Sequence, residues 1–471
     1  MQVLKKITLT FFCLLMAACQ SSVSTRGGAE TATTDYSEIN FGSSRNFRVG
    51  VLLPLSGQAA KAGQGLKNAT LMAMEDLKNP NLILQFYDTR STPEGARIAA
   101  ENALNQKVRV IIGPLMKKEV EAIAPMTVSR GVPVIAFSTS SEILRPEVYT
   151  LGLLIDEQVN RIMTYAADQG RRRFALLLPD NATGIAVARA AVKSARQNNV
   201  SVSRIAFYPP NISDFSEILR KMTDFSRRSG RVQNLKASLA AKASSDPEAQ
   251  KALARLKNKD SLGEVDFDAV LIPESGPRLK SAAAMFGYYD VFYPDVLFLG
   301  TTLWENNSLN NETTLLNSLY PSLSRTHSSY FAGKYRNLFN EKPNALYSFA
   351  YDAVALASAL SRQEEGDLNS LITNPDGYIG INGVFRLFPN GYNQHSLEIV
   401  EVTRHGDRIV DPAPRRFADD GSPEAFDTEI SDDVYEAPLI FGKDETTAQT
   451  LIYGHVLSEA NRSGAAVSAE Y

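Results

Sequence analysis

Cysteine is nearly missing from this 471-residue chain: Cys13 and Cys19 are the two, both near the amino terminus. Histidine is as sparse, with His327, His395, His405 and His455 scattered rather than paired at ligand spacing. Without clustered thiolates or imidazoles there is no ground for a zinc or iron–sulfur centre. No sign of charge dominates either, since 49 Lys and Arg face 52 Asp and Glu for a net charge of −3. Nucleic acid, which draws a clustered basic surface, is therefore not an expected partner. Enzyme signatures are missing too: no GxSxG elbow, GxxxxGK[ST] phosphate loop or HExxH zinc helix occurs. Gly63-Gln64-Gly65 is a bare GxG without a third glycine, weak ground for a nucleotide. No cofactor is expected and no catalytic residue is named.

What is present begins with a processing signal. Lys5 and Lys6 precede an apolar run from Ile7 to Met16, and Ala17-Ala18 precede Cys19. The run is too short for a permanent membrane helix, which needs ~20 apolar residues. Leu15-Met16-Ala17-Ala18 followed by cysteine resembles a bacterial lipobox. Residues 1–18 then read as a lipoprotein signal peptide and Cys19 as the lipidated first residue of the mature chain, anchored by its acyl chains. The alternative is an ordinary signal peptide with an incidental cysteine. Gln20 in place of Asp favours the outer membrane, by resemblance to Gram-negative lipoproteins. Residues 19–46, rich in Ser, Thr and Gly, read as a flexible tether.

From Phe47 the chain alternates strand and helix. Val49, Val51, Leu52, Leu53 and Leu55 make a nearly continuous apolar run, as in a strand covered on both faces, and an amphipathic helix follows from Leu66. The strand–helix order repeats through Leu82–Tyr87, Val108–Gly113 and Val132–Phe137. It resumes beyond Gly152 through Phe174–Leu178, Val200–Phe207, Phe267–Ile272 and Val296–Gly300. Such alternation predicts α/β architecture with mostly parallel sheets flanked by helices. The length predicts two lobes. The first spans about 47–152 and 323–378, the second about 153–322 and 379–414. That order implies three crossings between lobes and a hinge. A polar insert, 226–262, reads as one or two surface helices. Gly380–Phe388 and Leu397–Val402 read as strands joined through an Asn390-Gly391 turn. The acidic tail 415–471 reads as partly disordered, with Ala437–Gly442 and Gln449–Gly454 able to dock.

GVLLPLSG with a Gly-rich loop and helix, VIIGP at the third strand and GVPVIAFSTS at the fourth resemble the type I periplasmic binding proteins, the fold of leucine/isoleucine/valine receptors. FDAVLIPESGPRLKSAAAMFGYYDV, the following FLGTTLWENNSL and the helical insert before them are more similar to penicillin-binding protein activators of the LpoA type. The second resemblance implies a non-enzymatic outer-membrane lipoprotein that binds a class A penicillin-binding protein. The first implies, as the alternative, a receptor delivering branched-chain or other amino acids to an ABC importer.

In receptors of this fold a small polar ligand lies between the lobes, its carboxylate met by backbone N–H groups and hydroxyls at strand exits. The corresponding candidates here are Ser56, then Leu115, Met116 and Lys117, and Ser138, Thr139 and Ser140. The serines are also ordinary helix caps. From the second lobe the candidates are Thr183, Glu274, Thr301 and Thr302. Asn181-Ala182-Thr183-Gly184 stands where a receptor carries an aromatic–Gly pair, and Thr301-Thr302 where it carries the acid for the ligand's ammonium, with Glu305 further on. Glu274 is a candidate acid or a solvated loop carboxylate. Trp304 stacks on a ligand, anchors a partner or packs in the core. Arg171–Arg173 and Arg227, Arg228 and Arg231 read as solvated helix ends, with contact to anionic glycan or lipid as the lesser alternative.

Overall fold

Two runs of strand–helix alternation build two lobes in the computed structural model, which describes residues 46–454 except 306, 364–365 and 418–436. The expected signal peptide, Cys19 and tether lie outside the described residues. The first lobe runs β1 (Phe47–Leu53), α1 (Ala60–Leu77), β2 (Leu82–Asp88), α2 (Pro93–Asn105), β3 (Val110–Ile112), α3 (Lys117–Val128), β4 (Val134–Ala136) and β5 (Val148–Thr150). Its sheet has the order β2-β1-β3-β4-β5 and every pairing is parallel. Covered faces explain the unbroken apolar run of β1. Val49, Val51 and Leu53 face one buried cluster while Leu52 faces another, and all four are fully buried.

Local chemistry sets the helix ends. Thr92 accepts from the Gly95 amide at 3.0 Å with Pro93 in the first turn, so α2 starts where the Thr-Pro-Glu signal places it. Helix α1 begins at Ala60, earlier than the expected Leu66, and its glycines serve packing. A Cβ at Gly63 would sit 2.0 Å from the Pro54 carbonyl oxygen, and one at Gly65 2.0 Å from the Tyr347 ring. The GxG motif thus lets the helix approach β1 and its neighbour closely.

The second lobe continues with α4 (Ile155–Asp168), β6 (Arg173–Pro179), α5 (Ala182–Gln197), β7 (Ser201–Tyr208), α6 (Ser216–Met222), α7 (Phe225–Lys242), α8 (Pro247–Leu256), β8 (Ala269–Leu271), α9 (Gly276–Tyr288), β9 (Leu297–Leu299) and β10 (Leu319–Leu323). The chain then returns to the first lobe through α10 (Arg325–Phe339), α11 (Ala345–Leu360), α12 (Leu368–Ile372), β11 (Tyr378–Gly380), β12 (Gly383–Leu387) and β13 (Asn393–His395). It re-enters the second through β14 (Leu397–Thr403) and β15 (Gly406–Asp411), and later through β16 (Leu439–Phe441) and α13 (Glu445–Tyr453). The second sheet has the order β15-β14-β10-β9-β8-β6-β7-β16, parallel except at β14 and β15.

The last crossing lies later than expected. Strands β11–β13 form their own antiparallel sheet, and Phe385 and Leu387 are buried in the core of the first lobe with α1 and α11. The first lobe therefore holds the chain to residue 395 rather than 378. The Asn390-Gly391 turn joins β12 to β13, whereas β14 pairs with β10 and β15. The short strands β5, β10, β13 and β15 were not legible from the pattern. The insert forms two antiparallel helices, α7 and α8. The tail contributes β16, parallel to β7, and α13, whose Ala448, Ile452 and Tyr453 join the core of the second lobe.

Candidate functional site

A cleft of about 310 Å³ opens where the lobes meet. Thr139, Gly152, Leu346 and Phe349 line it from the first lobe, and Gln158, Thr183, Val187, Thr302, Leu303 and Glu305 from the second. Of the residues singled out in sequence, Thr139, Thr183, Thr301 and Thr302 reach it. The others do not line it, for reasons of local bonding. Exposed Ser56 donates its hydroxyl to Asp88 at 2.6 Å. Leu115 packs against the first core, Met116 caps α3 with its side chain exposed, and Lys117 pairs with Glu142. Ser138 is buried and Ser140 leans on it.

Two candidates belong to the interior of the second lobe. Glu274 is buried, accepting from the Tyr208 hydroxyl at 2.9 Å and the Ser275 amide at 2.9 Å, with the Arg278 guanidinium at 3.0 Å. Trp304 is 1% exposed and its Nε1–H donates to the Ile272 carbonyl at 3.0 Å. Its indole fills the space over Gly300, where a Cβ would come within 2.2 Å of the ring. Of its three readings the core one holds. No ligand or partner can stack on a side chain so covered.

The rim is closed on itself. A carboxylate seat in such a cleft is made of free backbone N–H groups at strand exits and helix starts. Here the Ser56 amide donates to Asp88 at 3.1 Å, Met116 to Glu119 at 3.1 Å, Ser140 to the Ser138 hydroxyl at 3.2 Å and Gly184 to Asn181 at 3.0 Å. The Thr302 amide and hydroxyl both donate to Gln158 Oε1, at 3.1 and 2.8 Å. Five exits thus satisfy their own donors. Burial pushes the Glu119 carboxyl above its ordinary range, though Thr89 and the Met116 amide hold it in place.

Sequence reasoning missed Gln158, Leu346 and Phe349 as cleft residues, and it noted Glu305 only as an acid further on from Thr301-Thr302. Their signal was positional: they sit at helix starts and just past a strand end beside the crossings. Glu305 is the one ionisable group among the lining residues, and burial raises its pKa. The cleft therefore does hold an acid, four residues beyond Thr301. Among the described residues no cluster of His, Cys, Asp and Glu is arranged to hold a metal, and no helix is long and apolar enough to cross a membrane.

A family model described as "Periplasmic binding protein" matches residues 46–226. A crystal structure of a putative branched-chain amino acid ABC transporter from Rhodospirillum rubrum superposes with a TM-score of 0.61 at 15% identity, covering 77% of this chain and 99% of that one. The fold is that of a type I periplasmic binding protein. Full-length LpoA from Haemophilus influenzae shares it, with a TM-score of 0.55 at 15% identity over 78% of this chain and 59% of that one. At such identity these likenesses carry the fold alone. In sequence, the penicillin-binding protein activator LpoA of Pasteurella multocida is 27% identical over 172 residues, 36% of this chain and 29% of that protein. Curated relatives are matched over no more than 56% of their own length. Both resemblances read from the motifs are thus met again, the receptor one in fold and the LpoA one weakly in sequence.

Proposed function

We propose that this protein is a non-enzymatic lipoprotein, held at the outer membrane through Cys19 and facing the periplasm, that binds and activates a class A penicillin-binding protein. The observation that carries the reading is the self-capped rim. Five strand-exit amides, of the kind that seats an α-carboxylate, are spent on Asp88, Glu119, Ser138, Asn181 and Gln158. Leaving those acceptors unpaired to admit an anion would cost about 1–3 kcal/mol each. Likeness to importer receptors lies in the fold and in the family model over residues 46–226, and it does not restore that seat. Likeness to the LpoA activators extends to sequence over 172 residues, and this supports the partner class proposed. Activation then follows from tighter binding to the active conformation of the synthase than to the inactive one.

The test is capture. The full chain is immobilised, detergent-solubilised envelope is passed over it, and the eluate is probed with a fluorescent penicillin. A labelled class A synthase that free protein competes away is the expected result. No labelled band, together with retained importer membrane subunits and a thermal shift with leucine, isoleucine or valine, would replace this reading by the solute receptor.

A further inference from the structure

On the second lobe, apart from the residues that line the cleft, two exposed features share one base. The first is the α7–α8 hairpin. Between residues 225 and 259 it carries nine Lys or Arg against two acids, Asp246 and Glu248, an excess of seven positive charges in a chain whose net charge is −3. Arg231, Lys242, Arg255, Lys257 and Lys259 are exposed and have no ion-pair partner among the described residues. The charge is spread along α7, whose eighteen residues extend roughly 27 Å at the helical rise. The second is the aromatic turn that ends α9, where Tyr288, Phe292 and Tyr293 are 69%, 46% and 44% exposed.

Buried Arg228 locks the two together. Its guanidinium donates to the carbonyls of Gly263 at 2.9 Å and Tyr289 at 2.9 Å, and to the Ser261 hydroxyl at 2.9 Å. Phe225, at the start of α7, lies 4.7 Å from the Tyr289 ring and 6.5 Å from that of Tyr288. The root of the hairpin and the start of the aromatic turn therefore lie side by side. Exposed aromatics beside arginines are what interface centres are made of, and a charged rim steers the encounter. A solvated helix pair by itself needs no such cluster of uncovered rings at its root.

We infer that this surface docks the synthase of the proposed function, and that the partner's face is acidic around an apolar centre. The inference rests on the activator reading. A membrane fits less well, because Leu235 is the one large apolar side chain of the hairpin that stands exposed, and a helix lying in a bilayer interface needs an apolar face.

The experiment uses the full chain and the captured synthase purified in detergent, with association and dissociation rates read at low and moderate salt. Two variants carry the test. One joins Lys242→Glu, Arg255→Glu, Lys257→Glu and Lys259→Glu; the other joins Tyr288→Ala, Phe292→Ala and Tyr293→Ala. A milder set, with Gln at the same four basic positions, stands in should charge reversal disturb folding by circular dichroism. Charge reversal is expected to slow association at least ten-fold and flatten its salt dependence, and aromatic truncation to speed dissociation at least ten-fold. Leu346→Trp, which fills the cleft, is expected to change neither rate more than two-fold. Wild type binding while both surface variants bind equally well overturns the inference and leaves the activator reading standing. Wild type failing to bind any class A synthase sinks that reading and this inference with it. Loss of binding to phosphatidylglycerol vesicles alone, with synthase binding intact, would assign the surface to a membrane instead.

Discussion

At Asp352 the fold holds a carboxyl group where water does not reach: the side chain is 1% exposed, on α11 beneath the β11–β12 turn. The Ile381 amide donates to it at 2.6 Å and the Asn382 side chain at 2.9 Å. Burial pushes its pKa up to about 6 in spite of these bonds and the nearby His395 ring. In the unfolded chain the group titrates near ~3.9. The native state thus holds the proton more tightly, and between about pH 4 and pH 6 it binds more protons than the unfolded state. Stability from this group is present below that window and is lost as pH rises through it, by up to about 3 kcal/mol. Asp352→Asn removes the titration. Urea denaturation at pH 4.5 and pH 7 should show the wild type losing ground to the variant as pH rises; parallel changes in the two proteins would refute the assignment.

At the scale of elements, the carboxy-terminal β16–α13 unit is the part whose contribution pattern alone undervalues. Strand β16 covers the edge of β7 in parallel register, Leu439 opposite Arg204 and Phe441 opposite Ala206. Helix α13 seals the outer face of α5, with Arg189 donating to the Leu451 carbonyl at 2.6 Å and Lys443 paired to Asp180 at 2.7 Å. Removing it uncovers an edge strand and the apolar surface under Ile452 and Tyr453. At about 2 kcal/mol per large buried side chain the loss is on the order of 4 kcal/mol. A chain stopped before Ala437 should therefore unfold at lower urea and scatter light on standing. An unchanged midpoint would mean the unit is merely laid against the lobe.

The whole molecule turns on three crossings, and Asn393 ties two of them. Its side-chain amide donates to the Thr150 carbonyl at 2.8 Å and the Gly152 carbonyl at 2.7 Å, joining β13 to the segment that leaves β5. Next to it, buried His395 lies against Glu157 at the start of α4, with Nδ1 3.3 Å from a carboxylate oxygen. The Asn393 bonds hold two crossing segments side by side and the His395–Glu157 contact ties one lobe to the first helix of the other; together they set the resting angle of the hinge. Asn393→Ala should broaden the interlobe distance distribution. Because Cys13 and Cys19 are the chain's two cysteines, Lys61→Cys and Asn211→Cys can be spin-labelled cleanly in a chain that also carries Cys13→Ser and Cys19→Ser. A distribution as narrow as that of the parent would show that packing alone holds the lobes.

Strand β1, the alternation after it and the Thr-Pro-Glu helix start were legible because each is a local pattern: burial on two faces demands an apolar run, and a cap needs its hydroxyl beside the first turn. Three-residue strands such as β5 and β13 were not, since so short a run has no period to read and exists only because a neighbour supplies its hydrogen bonds. The same division runs through the site. Sequence by itself determined which residue types stand at the strand exits, down to the lysine at 117 and the threonines at 301 and 302. Only the tertiary structure decided that the Ser56 and Thr302 amides are spent on Asp88 and Gln158, that Trp304 and Glu274 face inward, and that Glu305 and Phe349 line one cleft. A hydrogen-bond acceptor tens or hundreds of residues away, as Gln158 is from Thr302, leaves no mark on the local pattern it satisfies.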